Sequence, residues 1–173
     1  MMMRTGISLL GFLRDGSLGA FIPRKHCSPV DVFACLGSAD EVYMPDDLDL
    51  PYQPGSAACF PLVVAYGDLE FHFAGEKELA TVFVDTFSGV AQQADGGPLL
   101  LQDRKFLRQG LPLSEFLKMA RQAGLEITDV REHAPPYAMI ATTAAGIEVG
   151  FEHDDPELPD SQATLRWFCW MHA

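Results

Sequence analysis

The chain has few basic residues and no long apolar run. Its 173 residues include 12 Lys and Arg against 24 Asp and Glu, which gives a formal net charge of −12 at pH 7. A chain this acidic repels the phosphates of nucleic acids, so we expect no nucleic-acid partner. No apolar stretch approaches the roughly 20 residues of a membrane-spanning helix, so we expect no membrane partner either.

Cysteine is scarce as well. The chain has four cysteines and no CxxC pair, which excludes the usual disulfide framework and zinc site. We interpret them as reduced thiols, most of them buried, in a cytoplasmic protein. These residues are Cys27, Cys35, Cys59 and Cys169.

The N-terminal stretch has only some features of a signal peptide. Arg14 and Asp15 interrupt its apolar run, and no convincing small-residue cleavage site follows. Thr5 is instead predicted to be the N-cap of a short amphipathic helix that ends near Asp15. A cytoplasmic location is therefore the expectation.

Motifs for nucleotide binding and nucleophilic catalysis are missing. The sequence contains neither GxxxxGK[ST] nor GxGxxG, and it has no GxSxG elbow and no HExxH pair. The acidic stretch 153–160 offers oxygen ligands but lacks the Asp ladder and central Gly of an EF-hand, so we interpret it as a solvated loop. We therefore predict no enzyme activity, no catalytic residue, no cofactor and no metal site.

The sequence does contain a repeated order of predicted elements. The stretch 28–31 has a Ser N-cap, a Pro in the first turn and an Asp that completes a capping box, and Gly37 ends this helix. Ser114 is predicted to cap a second helix, which Gly124 ends. Both helices are short, so each needs a sheet against which to pack.

Three strands are predicted after each helix. Glu70 and Glu148 occupy equivalent positions in two of them, opposite the residues expected to be buried. Hairpin-length turns make neighbouring strands antiparallel. We predict long loops at 44–56, where Pro is dense, and at 153–161. The predicted strands are 62–66, 69–73 and 81–85 in the first half and 137–143, 147–151 and 165–170 in the second.

These elements predict an α+β fold built from two tandem helix–strand–strand–strand units. The helices are expected on one face of an antiparallel sheet. We place the units at 1–95, which includes the N-terminal helix, and at 96–173, packed together as one compact domain. The pattern leaves open whether the sheet is continuous across the units or split in two.

The stretch 18–38 carries a resemblance. It reads Leu-Gly-Ala-Phe-Ile-Pro-Arg-Lys-His-Cys-Ser-Pro-Val-Asp-Val-Phe-Ala-Cys-Leu-Gly-Ser, a strand leading to a capped helix that ends in Leu-Gly, and Ala39 and Asp40 follow it. This order resembles the repeat unit of the β-lactamase-inhibitor-protein fold and of small outer-membrane assembly lipoproteins. It is also similar to bacterial proteins of the immunity type. The resemblance implies a protein that binds and neutralises another protein, although the lipobox Cys of the lipoproteins is absent here.

Strand alternation predicts where such a partner would bind. An aromatic centre with a charged rim is typical of a protein interface. The alternative is that both sides of the last strand, 165–170, are buried in the protein. Exposure of Trp170 would favour the interface, and its burial would favour this alternative. The sheet face opposite the helices is expected to carry Glu70, His72, Glu148, Arg166, Phe168 and Trp170.

Together these features predict an acidic protein-binding module. We expect an immunity-type or inhibitor-like protein that neutralises a basic partner, such as a secreted toxin, because acidic surfaces speed the encounter with cationic proteins. A homodimer interface is a second use for the same face. A small-ligand sensor or enzyme with its site at Glu70, His72 and Glu148 on that open face is the alternative from another class.

Overall fold

The computed structural model describes residues 6–44, 60–133, 138–155 and 157–171. These ranges contain three α-helices, ten β-strands and short 3-10 turns. The helices are α1 (Leu9–Asp15), α2 (Pro29–Leu36) and α3 (Leu113–Gln122). The strands are β1 (Gly6–Ser8), β2 (Glu41–Tyr43), β3 (Leu62–Tyr66), β4 (Leu69–Gly75), β5 (Glu78–Val84), β6 (Leu100–Gln102), β7 (Ile127–His133), β8 (Ala138–Thr143), β9 (Glu148–Glu152) and β10 (Thr164–Met171).

Eight of the strands form one continuous antiparallel sheet in the order β2-β3-β4-β5-β10-β9-β8-β7. The sheet consists of two four-stranded meanders, β2 to β5 and β7 to β10, which join where β5 pairs with β10. The other two strands, β1 and β6, form a small parallel pair. The predicted α+β class with an antiparallel sheet is confirmed, and the sheet is continuous rather than split.

Each meander has one strand more than the three predicted. The additional strands, β2 and β7, are the two edges of the sheet. All seven side chains of β7 are exposed or half-buried, so no apolar alternation marks this strand in the sequence. Strand β2 has only three residues, too few to show a period. In the structure α2 and α3 are therefore each followed by the four strands of a meander, while the unit boundary between 95 and 96 stays a prediction.

The core lies between one face of the sheet and the three helices. Phe12 of α1 contacts Phe168 of β10 with ring centroids 6.0 Å apart, and Phe116 of α3 contacts Phe151 of β9 at 5.4 Å. Helix α2 buries Val32 in the same apolar cluster. The helices thus lie on one face of the sheet, as predicted. We call this the core face.

The opposite face, which carries Glu70 and Glu148, is called the polar face below. Alternation along β4 and β9 sorts side chains between the two faces as predicted. The residues expected on the buried side of the predicted strands 69–73 and 147–151 are at most 1% exposed, and they belong to the core cluster. They are Leu69, Phe71 and Phe73 in the first meander and Ile147, Val149 and Phe151 in the second.

Helix α2 begins and ends where the sequence predicts. The backbone N–H of Asp31 donates to Ser28 Oγ at 3.3 Å, and the Asp31 carboxylate accepts from the Ser28 N–H at 2.8 Å, which completes the capping box. Gly37 follows with a φ of 85°, a value that favours glycine. Gly124, with a φ of 68°, follows α3 in the same way.

The starts of the other two helices differ from the prediction. Ser8 caps α1, since its Oγ accepts from the Gly11 N–H at 2.9 Å, and the short strand β1 comes before it. Thr5, the predicted cap, lies outside the described residues. Helix α3 begins after Pro112, and Ser114 is already inside its first turn. The backbone N–H of Leu113 in this first turn donates to the Ala163 carbonyl at 2.8 Å, which takes the place of a side-chain acceptor for that group.

Candidate functional site

The last strand, β10, places its aromatic residues differently from the prediction. Phe168 pairs across the sheet with Val84 and Val149, both of which are buried, and is itself fully buried. Trp170 lies on the same core face, where it packs half-buried against the apolar cluster. The predicted placement of Phe168 and Trp170 on the polar face is therefore wrong.

A β-bulge is the reason for this difference. The register of β10 against β9 shifts between Leu165 and Trp167, so Leu165 and Phe168 both face the core although they are three positions apart. Trp167 consequently lies on the polar face, opposite Gly150. One inserted residue reverses the alternation of a strand. Trp167 is thus the site residue that strict alternation misses, and the glycine on the facing strand is the signal that makes room for it.

Arg166 occupies the bulge and is engaged by the loop between β9 and β10. Its Nη2 lies 2.5 Å from Oδ1 of Asp154. In the same loop, the side chain of His153 is 1% exposed, and its Nε2 lies 3.4 Å from Oδ1 of Asp160. No three His, Cys, Asp or Glu side chains in the described part of the chain are grouped so that they could hold a metal ion.

Glu70 is the centre of a hydrogen-bonded cluster in the first meander. Its Oε1 accepts a hydrogen bond from the Tyr43 hydroxyl at 2.9 Å, and its Oε2 lies 2.7 Å from Nε2 of His72. The bond with His72, followed by that from Tyr43, lowers the pKa of Glu70 below its ordinary value. Burial and the bond to Glu70 raise the pKa of Tyr43 to about 12. Glu70 is therefore an anion with two specific partners.

Glu148 holds the corresponding place in the second meander but has a different partner. Arg131 extends from the edge strand β7, and its Nη2 lies 2.5 Å from Glu148 Oε1. Its Nη1 donates to Asp129 and to Thr142, each at 3.0 Å. The two carboxylates raise the pKa of Arg131 above its ordinary value. One guanidinium thus serves two carboxylates, so negative charge remains in excess on this side.

The register of the strands brings Glu70 and Glu148 into one row across the sheet. Phe83 and Cys169 pair with each other at its centre. On β4, Glu70 lies beside Phe83, and on β9, Glu148 lies beside Cys169. Three strand spacings therefore separate the two glutamates, about 14 Å. An acid–base pair that acts on one bond is closer, within about 10 Å. The carboxylates of Glu70 and Glu148 also bond to Tyr43 and Arg131 on opposite edges of the sheet, so they do not converge on one point.

The same row also ends in carboxylates. Beyond Glu70 it continues through Ala65 of β3 to Glu41 of β2. Beyond Glu148 it continues through Thr142 of β8 to Asp129 of β7. Four of its eight positions are acidic, and we call these four the carboxylate row: Glu41, Glu70, Glu148 and Asp129.

Aromatic rings lie beside this row at the centre of the polar face. His72 and Phe83 have ring centroids 6.3 Å apart, and Phe83 and Trp167 are 6.4 Å apart. Phe83 and Trp167 are both half-buried. Cys169 beneath them is buried, and this burial, with the nearby Glu148 charge, raises its pKa to about 12. The centre of the face is therefore apolar and aromatic, and its surroundings are acidic.

Comparison with known proteins returns no relative. No family model matches the chain, and no curated protein sequence and no solved structure matches it either. None of the helices in the described ranges is long and apolar enough to cross a membrane. The surface must therefore be interpreted from its own residues and geometry.

Proposed function

We propose that this chain is an acidic protein-binding module of the cytoplasm, of the immunity or inhibitor type, which neutralises a basic partner such as a secreted toxin. The polar face of the sheet is its binding surface. The partner's cationic surface lies against the carboxylate row, and an apolar part of it covers the aromatic centre. This role requires no catalytic residue of the chain itself.

The observation that carries the proposal is the composition of the polar face. Four carboxylates lie in one row, and in the described structure Arg131 and His72 are bound to it. Phe83 and Trp167 supply half-buried rings at the middle. Aromatic anchors surrounded by charge give affinity at the centre and electrostatic steering at the rim. The chain's net charge of −12 extends this attraction beyond the face itself.

The residues that the sequence predicts for this surface contribute unequally to it. Glu70, His72 and Glu148 lie on the polar face, so they stay in the proposed surface. Phe168 is removed from it by burial, and Trp170 lies on the core face. Trp167 takes the anchoring role instead. A ligand or enzyme site that joins Glu70, His72 and Glu148 would need the two glutamates close together, and they are three strands apart.

The test is binding to the purified products of the genes that flank its own, measured by surface plasmon resonance at low salt. The critical variant is Glu70→Gln with Glu148→Gln, which removes two charges from the carboxylate row. We expect it to slow association with a basic partner about tenfold, because steering acts on the on-rate. Added salt should slow the wild type towards the rate of this variant.

A matched control removes the same charge elsewhere. Glu126 and Glu157 are exposed and lie outside the carboxylate row, so the double change Glu126→Gln with Glu157→Gln equalises net charge between the variants. This control should bind at close to the wild-type rate. Equal slowing in both variants would show that overall charge, not this face, attracts the partner. If no flanking gene product binds the wild type at low salt, the proposed function is wrong.

A further inference from the structure

The indole of Trp167 lies flat on the backbone of Gly150. A Cβ placed on Gly150 would come 2.0, 2.4 and 2.5 Å from the ring atoms Cε2, Cζ2 and Cδ2 of Trp167. Those three distances put the Cβ position directly above Cε2, along the normal of the ring. The ring therefore packs face-on against the glycine, in the space that any side chain at this position would occupy.

Packing on Gly150 uses only the inner face of the indole. Phe83 is tilted by 39° against the ring, with the centroids 6.4 Å apart, so it limits sideways movement of the indole. Trp167 is nevertheless half-buried rather than buried. Its exposed surface therefore lies on the side and edges of the ring that are turned away from Gly150. An aromatic ring seated in this way can serve as a stacking platform.

The platform lies near a carboxylate that can receive a cation. Glu148 lies two residues from Gly150 on β9, and the face of an indole is itself electronegative. Glu148 already pairs with Arg131 on one side, as a carboxylate that accepts from guanidinium groups. A planar guanidinium can stack on the ring and direct its N–H groups to a neighbouring carboxylate, which a compact ammonium does less well.

The geometry points to Trp167 on Gly150 as the platform that receives an arginine side chain of the partner. This inference rests on the proposed function for the identity of the partner, but not for the chemistry of the platform. Stacking on Trp167 would make this arginine an anchor at the centre of the interface, with the carboxylate row on both sides of it.

The platform can be tested without the partner. In the variant Trp170→Phe, Trp167 is the single tryptophan, so its fluorescence reports on the platform alone. The probes are hexa-arginine, hexalysine and hexacitrulline, since citrulline keeps the planar shape of arginine without the charge. We expect hexa-arginine to change the emission with an affinity several times that of hexalysine and about tenfold that of hexacitrulline.

Two further variants show whether the response comes from the seated ring. Gly150→Ala retains the indole but fills the space in which it packs. Trp167→Leu removes the indole, so peptide binding to this variant is measured by calorimetry. Both should weaken hexa-arginine binding about tenfold, with circular dichroism confirming the fold. If Gly150→Ala does not fold, Trp167→Leu alone decides. Unchanged binding of hexa-arginine to Trp167→Leu would overturn the platform, and so would equal binding of the arginine and citrulline peptides.

The same variants separate this inference from the proposed function. If a flanking gene product binds the wild type and Trp167→Leu equally well, the platform is wrong while the binding function stands. If no flanking gene product binds but the peptides behave as expected, the proposed function is wrong while the platform stands.

Discussion

The two meanders hold the same residue in different ways. Glu70 and Glu148 occupy matching positions in the register, each beside the strand at which the meanders join. In each meander the edge strand supplies a side chain that reaches this glutamate across the strand between them. The first meander uses Tyr43, a neutral donor, and the second uses Arg131, a cation.

The residue two positions after each glutamate also differs between the two meanders. In β4 this is His72, whose imidazole bonds Glu70 and fills the surface next to it. In β9 it is Gly150, and the space it leaves is filled by the indole of Trp167 from β10. The same strand arrangement thus carries a hydrogen-bonded cluster in the first meander and an aromatic platform in the second. The side chains, not the backbone arrangement, make the two sites different.

The largest expected effect tests the bulge that separates the aromatic residues of β10. Phe168→Ala removes a fully buried ring from the core and should lower the free energy of unfolding by about 3–5 kcal/mol. Trp167→Ala, one residue away on the polar face, should cost only about 1 kcal/mol, because half-buried rings lose less on truncation. Urea unfolding of both variants measures the difference. Equal losses would contradict the assignment of the two rings to opposite faces.

The bulge also shows how far the sequence predicts this molecule. The capping box of α2 and the alternation of β4 and β9 are local patterns, and both are confirmed. The bulge in β10 depends on the facing strand, where Gly150 makes room, so alternation within one strand cannot reveal it. The same holds for Tyr43 and Arg131, which reach their glutamates from the missed edge strands.

The second prediction compares the turns of the two central hairpins. The carboxylate of Asp68, between β3 and β4, is buried and accepts from the Ser88 N–H, the Ser88 hydroxyl and the Asp95 N–H, at 2.7–2.8 Å. Asp68→Ala leaves these donors without their acceptor and should cost about 2–3 kcal/mol in urea unfolding. In the turn between β8 and β9 the side-chain bond is local, since Thr143 Oγ1 accepts from the Ile147 N–H at 3.2 Å.

The control for Asp68→Ala is Thr143→Val, which removes the bond between Thr143 Oγ1 and the Ile147 N–H. It should lower the free energy of unfolding by about 1 kcal/mol. A loss for Asp68→Ala no larger than that for Thr143→Val would show that the link between the first hairpin and the segment 88–95 contributes little to stability.

The third prediction separates the neutral donor from the cation. Tyr43→Phe and Arg131→Gln should each lower the free energy of unfolding by about 1 kcal/mol or less, because both remove a surface or half-buried contact to a glutamate. The salt dependence of the stability loss distinguishes the two variants. The loss caused by Arg131→Gln should shrink in about 1 M NaCl, where charges are screened within a few ångströms, while that of Tyr43→Phe should persist. The same salt response in both variants would remove the electrostatic distinction between the meanders.

The smallest expected effect is the pH dependence of stability that Glu70 contributes in the first meander. His72 and Tyr43 lower the pKa of Glu70 below its ordinary value of 4.5, so the unfolded chain takes up this proton at a higher pH than the folded protein does. Between these two values the unfolded state binds more protons, and stability therefore falls as the pH falls. The contribution of Glu70 is fully present above 4.5 and is lost as the pH drops through its folded pKa.

We expect wild type to have a higher free energy of unfolding than Glu70→Gln at neutral pH, and this gap should close towards about pH 3. Urea unfolding over this pH range measures it. His72→Gln removes the largest cause of the lowered pKa, so in that background the gap should close at a higher pH. Tyr43 still donates to Glu70 in this variant, which leaves part of the shift in place. A gap that closes at the same pH with and without His72 would mean that the 2.7 Å contact between Glu70 and His72 does not stabilise the carboxylate.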